Sequence, residues 1–91
     1  MKLSGFVITE DNKKIAYNHY KNNMRNIVII VHGFYNSKDA VLLEKLAQHL
    51  FVNYDVLLFD LRGHGGSSGF FTWTSKEGLD VKAILNYLNV Y

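Results

Sequence analysis

The stretch that most constrains this chain is Ile27-Val28-Ile29-Ile30-Val31, five consecutive β-branched residues with no polar interruption. β-branched side chains are stiff about χ1 and pack well on a pleated surface. A run without polar alternation predicts a strand buried on both faces, as in a parallel sheet covered by helices. Parallel strands need a crossover connection, usually a helix, and the residues that follow supply one. After His32-Gly33-Phe34-Tyr35-Asn36 comes a helical segment, capped by Ser37 or Asp39, with Leu43, Leu46, Ala47 and Leu50 as its apolar face. Asn53-Tyr54-Asp55 ends it. Val56-Leu57-Leu58-Phe59 is a second apolar strand, closing at Asp60. Strand, helix and strand make a right-handed crossover and hence a parallel pair.

The flanks complete the order. Residues 3–9 and 14–20 read as strands around the turn-forming Glu10-Asp11-Asn12-Lys13. In the second, Ile15, Tyr17 and His19 alternate with Ala16, Asn18 and Tyr20, which predicts an antiparallel hairpin with one half-solvated face. Beyond Asp60 lies a glycine-rich segment, then Phe70-Phe71-Thr72-Trp73. A second helix is expected from near Thr74, where Thr74 and Glu77 have the spacing of a capping box. Val81, Ile84, Leu85 and Leu88 form its apolar face. The fold class is therefore α/β, in the order β-β-β-α-β-α, as one domain over residues 1–91.

Composition narrows the function. The net charge is +2, and the ten Lys and Arg residues form no run, so neither nucleic acid nor a membrane surface is an expected partner. No apolar run approaches the roughly 18 residues that span a bilayer. The absence of cysteine excludes disulfides, a thiol nucleophile and thiolate metal sites, and leans towards the cytoplasm. His19, His32, His49 and His64 form no close ligand pair, so no metal is expected. A dinucleotide fingerprint fails at the last position of Gly63-His64-Gly65-Gly66-Ser67-Ser68, and no P-loop is present. No cofactor is expected.

Gly65-Gly66-Ser67-Ser68-Gly69 does match G-x-S-x-G, with Asp60 and His64 just upstream. A serine nucleophile of that pattern sits on a strained elbow directly between a strand and a helix. Ser67 instead falls in the middle of a long connection, and a triad is assembled in space from separate elements. The segment is expected to be a glycine turn with local hydrogen bonds. Asp60 and His64 are expected to share a hydrogen bond, and Arg62 to form an ion pair with Glu77 or Asp80. Phe70, Phe71 and Trp73 pack the loop on the sheet or line a pocket.

Three features converge: a buried strand ending in His32-Gly33-Phe34, a second ending in Asp60-Leu61-Arg62-Gly63-His64-Gly65-Gly66-Ser67, and a capped helix carrying Glu77 and Asp80. Together they resemble the N-terminal part of an α/β-hydrolase domain, closest to the serine esterase, lipase and peptidase-like branch, over residues 5 to 91. The resemblance implies a serine hydrolase acting on an ester, amide or similar acyl bond of a small molecule. It places the backbone N–H of Phe34 in the oxyanion hole, with His32 and Gly33 shaping that loop and His32 orienting it by hydrogen bonds. It puts the nucleophile, the acid and the catalytic His outside this sequence.

Complete domains of this kind run to roughly 200 residues or more. The resemblance thus implies a part of a longer protein, a truncated frame or half of a split one, inactive by itself. In the family the third strand pairs with a fifth, so Ile27–Val31 is expected to be an open edge. Such an edge recruits the missing half or a second copy. The alternative reading is a non-catalytic relative that only binds or assembles.

Overall fold

The computed structural model describes residues 1–32, 38–72 and 75–89. Six elements follow one another: β1 (Lys2–Ile8), β2 (Lys14–Tyr20), β3 (Ile27–Val31), α1 (Val41–Leu50), β4 (Asp55–Phe59) and α2 (Glu77–Asn89). The strands form one sheet in the order β1-β2-β4-β3. β1 pairs antiparallel with β2, with Gly5 opposite Tyr17. β3 pairs parallel with β4, with Ile29 opposite Leu57. The two units join where β2 runs antiparallel to β4, Tyr17 opposite Phe59.

The period-two geometry of a strand divides the core between two helices. Leu57 and Phe59 of β4 point to one face, with Ile15 of β2, and pack on Ile84 of α2. Val56 and Leu58 point to the other, with Tyr20 of β2, and pack on Ala47 of α1. Both helices are needed because β4 is buried along its whole length.

Burial corrects four expectations. β2 is not half-solvated: it lies between β1 and β4 and is largely buried on both faces. The alternation that predicts a wet face belongs to β1, the outer strand, where Phe6 and Ile8 are exposed. β3 is not buried on both faces either. Among the described residues it pairs with β4 alone, and Ile27 and Val31 are exposed at its ends. Full burial of the run is therefore not observed. In α2 the inward stripe is Asp80, Ala83, Ile84, Tyr87 and Leu88, and Val81 and Leu85 face outwards. The stripe is rotated because Asp80 is drawn inwards by Arg62. On α1, likewise, Leu46 is exposed while Leu43, Ala47 and Leu50 pack inwards.

Local signals end the elements. Strand β1 stops at Ile8 because Thr9 belongs to the turn: its N–H donates to the Lys13 carbonyl and its Oγ1 accepts the Lys13 N–H. Asn12 takes the left-handed conformation there (φ 62°), which Asn tolerates better than most residues. The N-cap of α1 is Ala40, without a side-chain cap bond. Asp39 is not the cap: its carboxylate accepts from Asn18 Nδ2 and Lys38 Nζ. Ser37 and Thr74, the other two expected caps, lie outside the described residues. Glu77 does reach back, to the N–H and hydroxyl of Thr72, while Thr72 Oγ1 accepts the Lys76 N–H.

His19, on β2, is buried beneath α2 with Nδ1 3.0 Å from the Tyr87 hydroxyl. Burial pushes its pKa below the ordinary 6.5, against the opposing pull of Asp55 and with a small push from Lys21. Its unfolded form therefore takes up a proton at a higher pH than its folded form, so stability falls as pH drops below 6.5. Urea midpoints measured from neutral pH downwards are expected to show this decline, and His19→Asn to flatten it. An unchanged decline in the variant would assign it to another group.

Candidate active site

The parallel register puts Val31 opposite Phe59, so β3 and β4 deliver His32 and Asp60 side by side at their C-terminal ends. Ligands of open α/β sheets bind outside this end of the strands. Two contacts tie the exits together. The Leu61 N–H donates to His32 Nε2 at 3.0 Å, which requires that nitrogen to be unprotonated. The Asp60 carboxylate accepts the Lys38 N–H at 2.7 Å and the Gly66 N–H at 2.9 Å.

Asp60 is fully buried, and a buried carboxylate must be compensated. The Lys38 ammonium, 3.1 Å away, completes the compensation. Burial works against the charge on Lys38, but Asp39 and Asp60 outweigh it and raise its pKa. His32 and Lys38 thus anchor the two ends of the connection that contains Gly33 and Phe34. Those two expected oxyanion-loop residues lie outside the described residues.

The glycine segment is a turn sewn onto β2. The Ser67 hydroxyl donates to the Asp60 carbonyl and accepts the Ala16 N–H at 2.9 Å. Ser68 exchanges two bonds with Lys14, its N–H to the carbonyl and its Oγ from the N–H. Gly63, Gly65 and Gly69 have positive φ, where L side chains are strained. A nucleophile must hand its proton to a base, and a peptide carbonyl is not one. β4 ends at Phe59 and α2 begins at Glu77, so no strand–turn–helix elbow holds Ser67. Ser67→Ala is expected to lower stability by about 1–3 kcal/mol, because it leaves the buried Ala16 N–H unpaired. Denaturant unfolding checks this, and reaction of Ser67 with a fluorophosphonate would contradict it.

The remaining expected residues divide. His64 Nδ1 lies 3.2 Å from the Arg62 carbonyl, and its ring contacts His32 in a tilted arrangement, at 4.8 Å, and Phe71 edge-on, at 5.1 Å. Phe71 therefore packs the loop, whereas Phe70 is 87% exposed. Trp73 lies outside the described residues. Arg62 takes Asp80 as its ion-pair partner, through Nε and Nη2, and Asp80 also accepts the Arg62 N–H. A second partner has no signal in the sequence: Asp11, in the hairpin turn, binds Nη1 at 2.7 Å and Nη2 at 3.1 Å. Arg62 and Thr9 hold the Asp11 carboxyl well below its ordinary range. Lys38 likewise carries no sequence signal, since nothing near it in the chain points to Asp60. Among the described residues no group of three or more His, Asp or Glu is arranged to hold a metal ion. None of the described helices is long and apolar enough to cross a membrane.

Comparison with known proteins decides the family. A family profile described as alpha/beta hydrolase fold matches residues 26–88. The chain belongs to the α/β-hydrolase family. Among solved structures, the Pyrococcus furiosus esterase Pf2001 is similar at 34% identity with a TM-score of 0.88, over 98% of this chain and 36% of that one. An alpha/beta hydrolase from Sphaerobacter thermophilus matches at 23% identity and TM-score 0.74, over 91% of this chain and 31% of that one. XC6422 from Xanthomonas campestris, a serine hydrolase without a lid, matches at 18% and 0.74, over 98% and 44%. The last two show the fold alone. Curated proteins yield no match. The chain spans about a third of the length of the P. furiosus esterase. Within it, the tied exits of β3 and β4 are a hydrolase-like scaffold.

Proposed function

We propose that this chain is the N-terminal part of a serine hydrolase that cleaves esters, amides or similar acyl bonds of small molecules. The observation that carries the reading is the joining of the β3 and β4 exits, through His32–Leu61 and Lys38–Asp60, at the end of the sheet where such folds bind ligands. The similarity to an esterase supports acyl chemistry. In this reading the N–H of Phe34 stabilises the oxyanion of the tetrahedral intermediate. Gly33 lets the backbone approach the substrate, and His32 orients the loop. The nucleophile, its base and its acid come from residues outside this sequence, so the 91-residue chain alone has no turnover.

A chimera tests this: the chain replaces the corresponding third of the P. furiosus esterase. The folded chimera is expected to hydrolyse short-chain p-nitrophenyl esters and to react with a fluorophosphonate. In it, Phe34→Pro removes the N–H and is expected to lower kcat by about 10²–10³-fold. Phe34→Ala keeps the N–H and most of the rate.

The second reading is a non-catalytic member that assembles through the open β3 edge. A folded chimera that neither reacts nor hydrolyses would favour it.

A further inference from the structure

We infer that Asn18 and Lys38 are positioning residues of the proposed hydrolysis, two joints of a polar strut that runs from β1 and β2 to the exit of β4. The inference rests on the hydrolase reading above, which places the oxyanion donor on the connection between β3 and α1. Both residues act through other groups.

The strut is a chain of direct contacts. The Ser4 hydroxyl donates to Asn18 Oδ1 at 2.8 Å, and Asn18 Nδ2 donates to Asp39 Oδ1 at 2.9 Å. The Lys38 ammonium bridges two carboxylates, Asp39 at 2.7 Å and Asp60 at 3.1 Å. Asp60 in turn accepts the Gly66 N–H, and its own N–H donates to the Ala16 carbonyl at 2.9 Å. Asn18 and Asp60 are buried, and hydrogen bonds shielded from water are electrostatically stronger.

Lys38 grips Asp60 at two points, because its backbone N–H also donates to Oδ1 at 2.7 Å. One bond would leave the chain free to swivel about it. A bond from the main chain and another from the side chain fix its direction. Ordering a lysine costs rotamer entropy, and an exposed ion pair barely repays that. Here the Lys38 side chain is only 10% exposed. Both of its carboxylate partners are tied to strands, Asp60 at the end of β4 and Asp39 to β2 through Asn18. The stiffness of the sheet therefore passes into the connection that carries Lys38. An oxyanion donor on that connection needs such stiffness, since a misplacement of about 1 Å at a reacting centre costs on the order of 10²-fold in rate.

Substitutions in the chimera test this. Asn18→Ala leaves the Lys38–Asp60 contact in place, and is expected to lower kcat by about threefold to tenfold with KM within about twofold of the parent. Lys38→Met keeps the packing of the stem and is expected to lower kcat by about tenfold to a hundredfold. The double variant is expected to match Lys38→Met, because both substitutions break the same strut. Lys45→Met, at an exposed lysine on α1, is expected to keep the parental rate. Circular dichroism checks folding, and if Lys38→Met does not fold, Asn18→Ala decides. In Asn18→Ala the Lys38 amide is expected to exchange hydrogen faster while the core amides of β4 keep their rates, a readout that needs no turnover. An inactive parent chimera would count against the hydrolase reading, whereas unchanged Lys38 exchange would overturn the strut. A parental kcat in folded Asn18→Ala, a loss confined to KM, or losses that multiply in the double variant would each overturn it as well.

Discussion

Arg62→Leu is expected to lose about 3–5 kcal/mol of stability, the penalty for stranding a buried charge. The stranded charge is Asp80, which is fully buried and loses both guanidinium bonds, keeping only the backbone N–H of residue 62. A single domain has about 5–15 kcal/mol in total, and a small one buries a smaller share of its surface. The variant is therefore expected to unfold at much lower urea than the parent, or to lack a cooperative transition. The connectivity explains why the effect is global. Arg62 follows β4, Asp11 sits in the β1–β2 turn and Asp80 lies on α2, so one guanidinium joins three separate parts of the fold. Arg62→Lys is not expected to rescue it, because one ammonium cannot reproduce a planar fork shared by two carboxylates. Circular dichroism during urea titration measures both. Parent-like midpoints would show that the network contributes nothing net.

Gly65→Ala is expected to lose about 3 kcal/mol, combining a non-glycine residue at positive φ with the loss of a charged hydrogen bond. A Cβ at Gly65 would stand 2.3 Å from Asp60 Oδ2, and φ there is +46°. The carboxylate must move, yet that same oxygen accepts the Gly66 N–H and faces the Lys38 ammonium. The damage is thus expected at both loop exits. Amide exchange should speed up at Gly66 and Lys38 ahead of the core amides of β4. Exchange confined to global unfolding would contradict a local role for the contact.

Much of the architecture was legible in the chain. Unbroken apolar runs marked β3 and β4, turn residues marked the hairpin, and the order β-β-β-α-β-α with a parallel pair follows from them. The placement of Ser67 outside any elbow was legible too, from its distance along the chain to the strand and helix. What an apolar run cannot say is how many neighbours its strand has. Ile27–Val31 reads as doubly buried because its side chains suit that, but a strand's place in the sheet is settled by its pairing partners. Periodicity likewise marked α2 as amphipathic without fixing its rotation, which follows Asp80 and Arg62.

The sequence by itself determined the elements, their order and the family resemblance, because these rest on local spacing and short motifs. The sequence also offered Asp80 to Arg62, but the tertiary structure alone decided the other long-range polar partners. Asp11 meets Arg62, Lys38 meets Asp60 and Ser67 meets Ala16 across separations of 51, 22 and 51 residues. No local rule encodes such pairs. They form because burying the sheet brings those groups together, and because a buried charge or N–H must find a partner there.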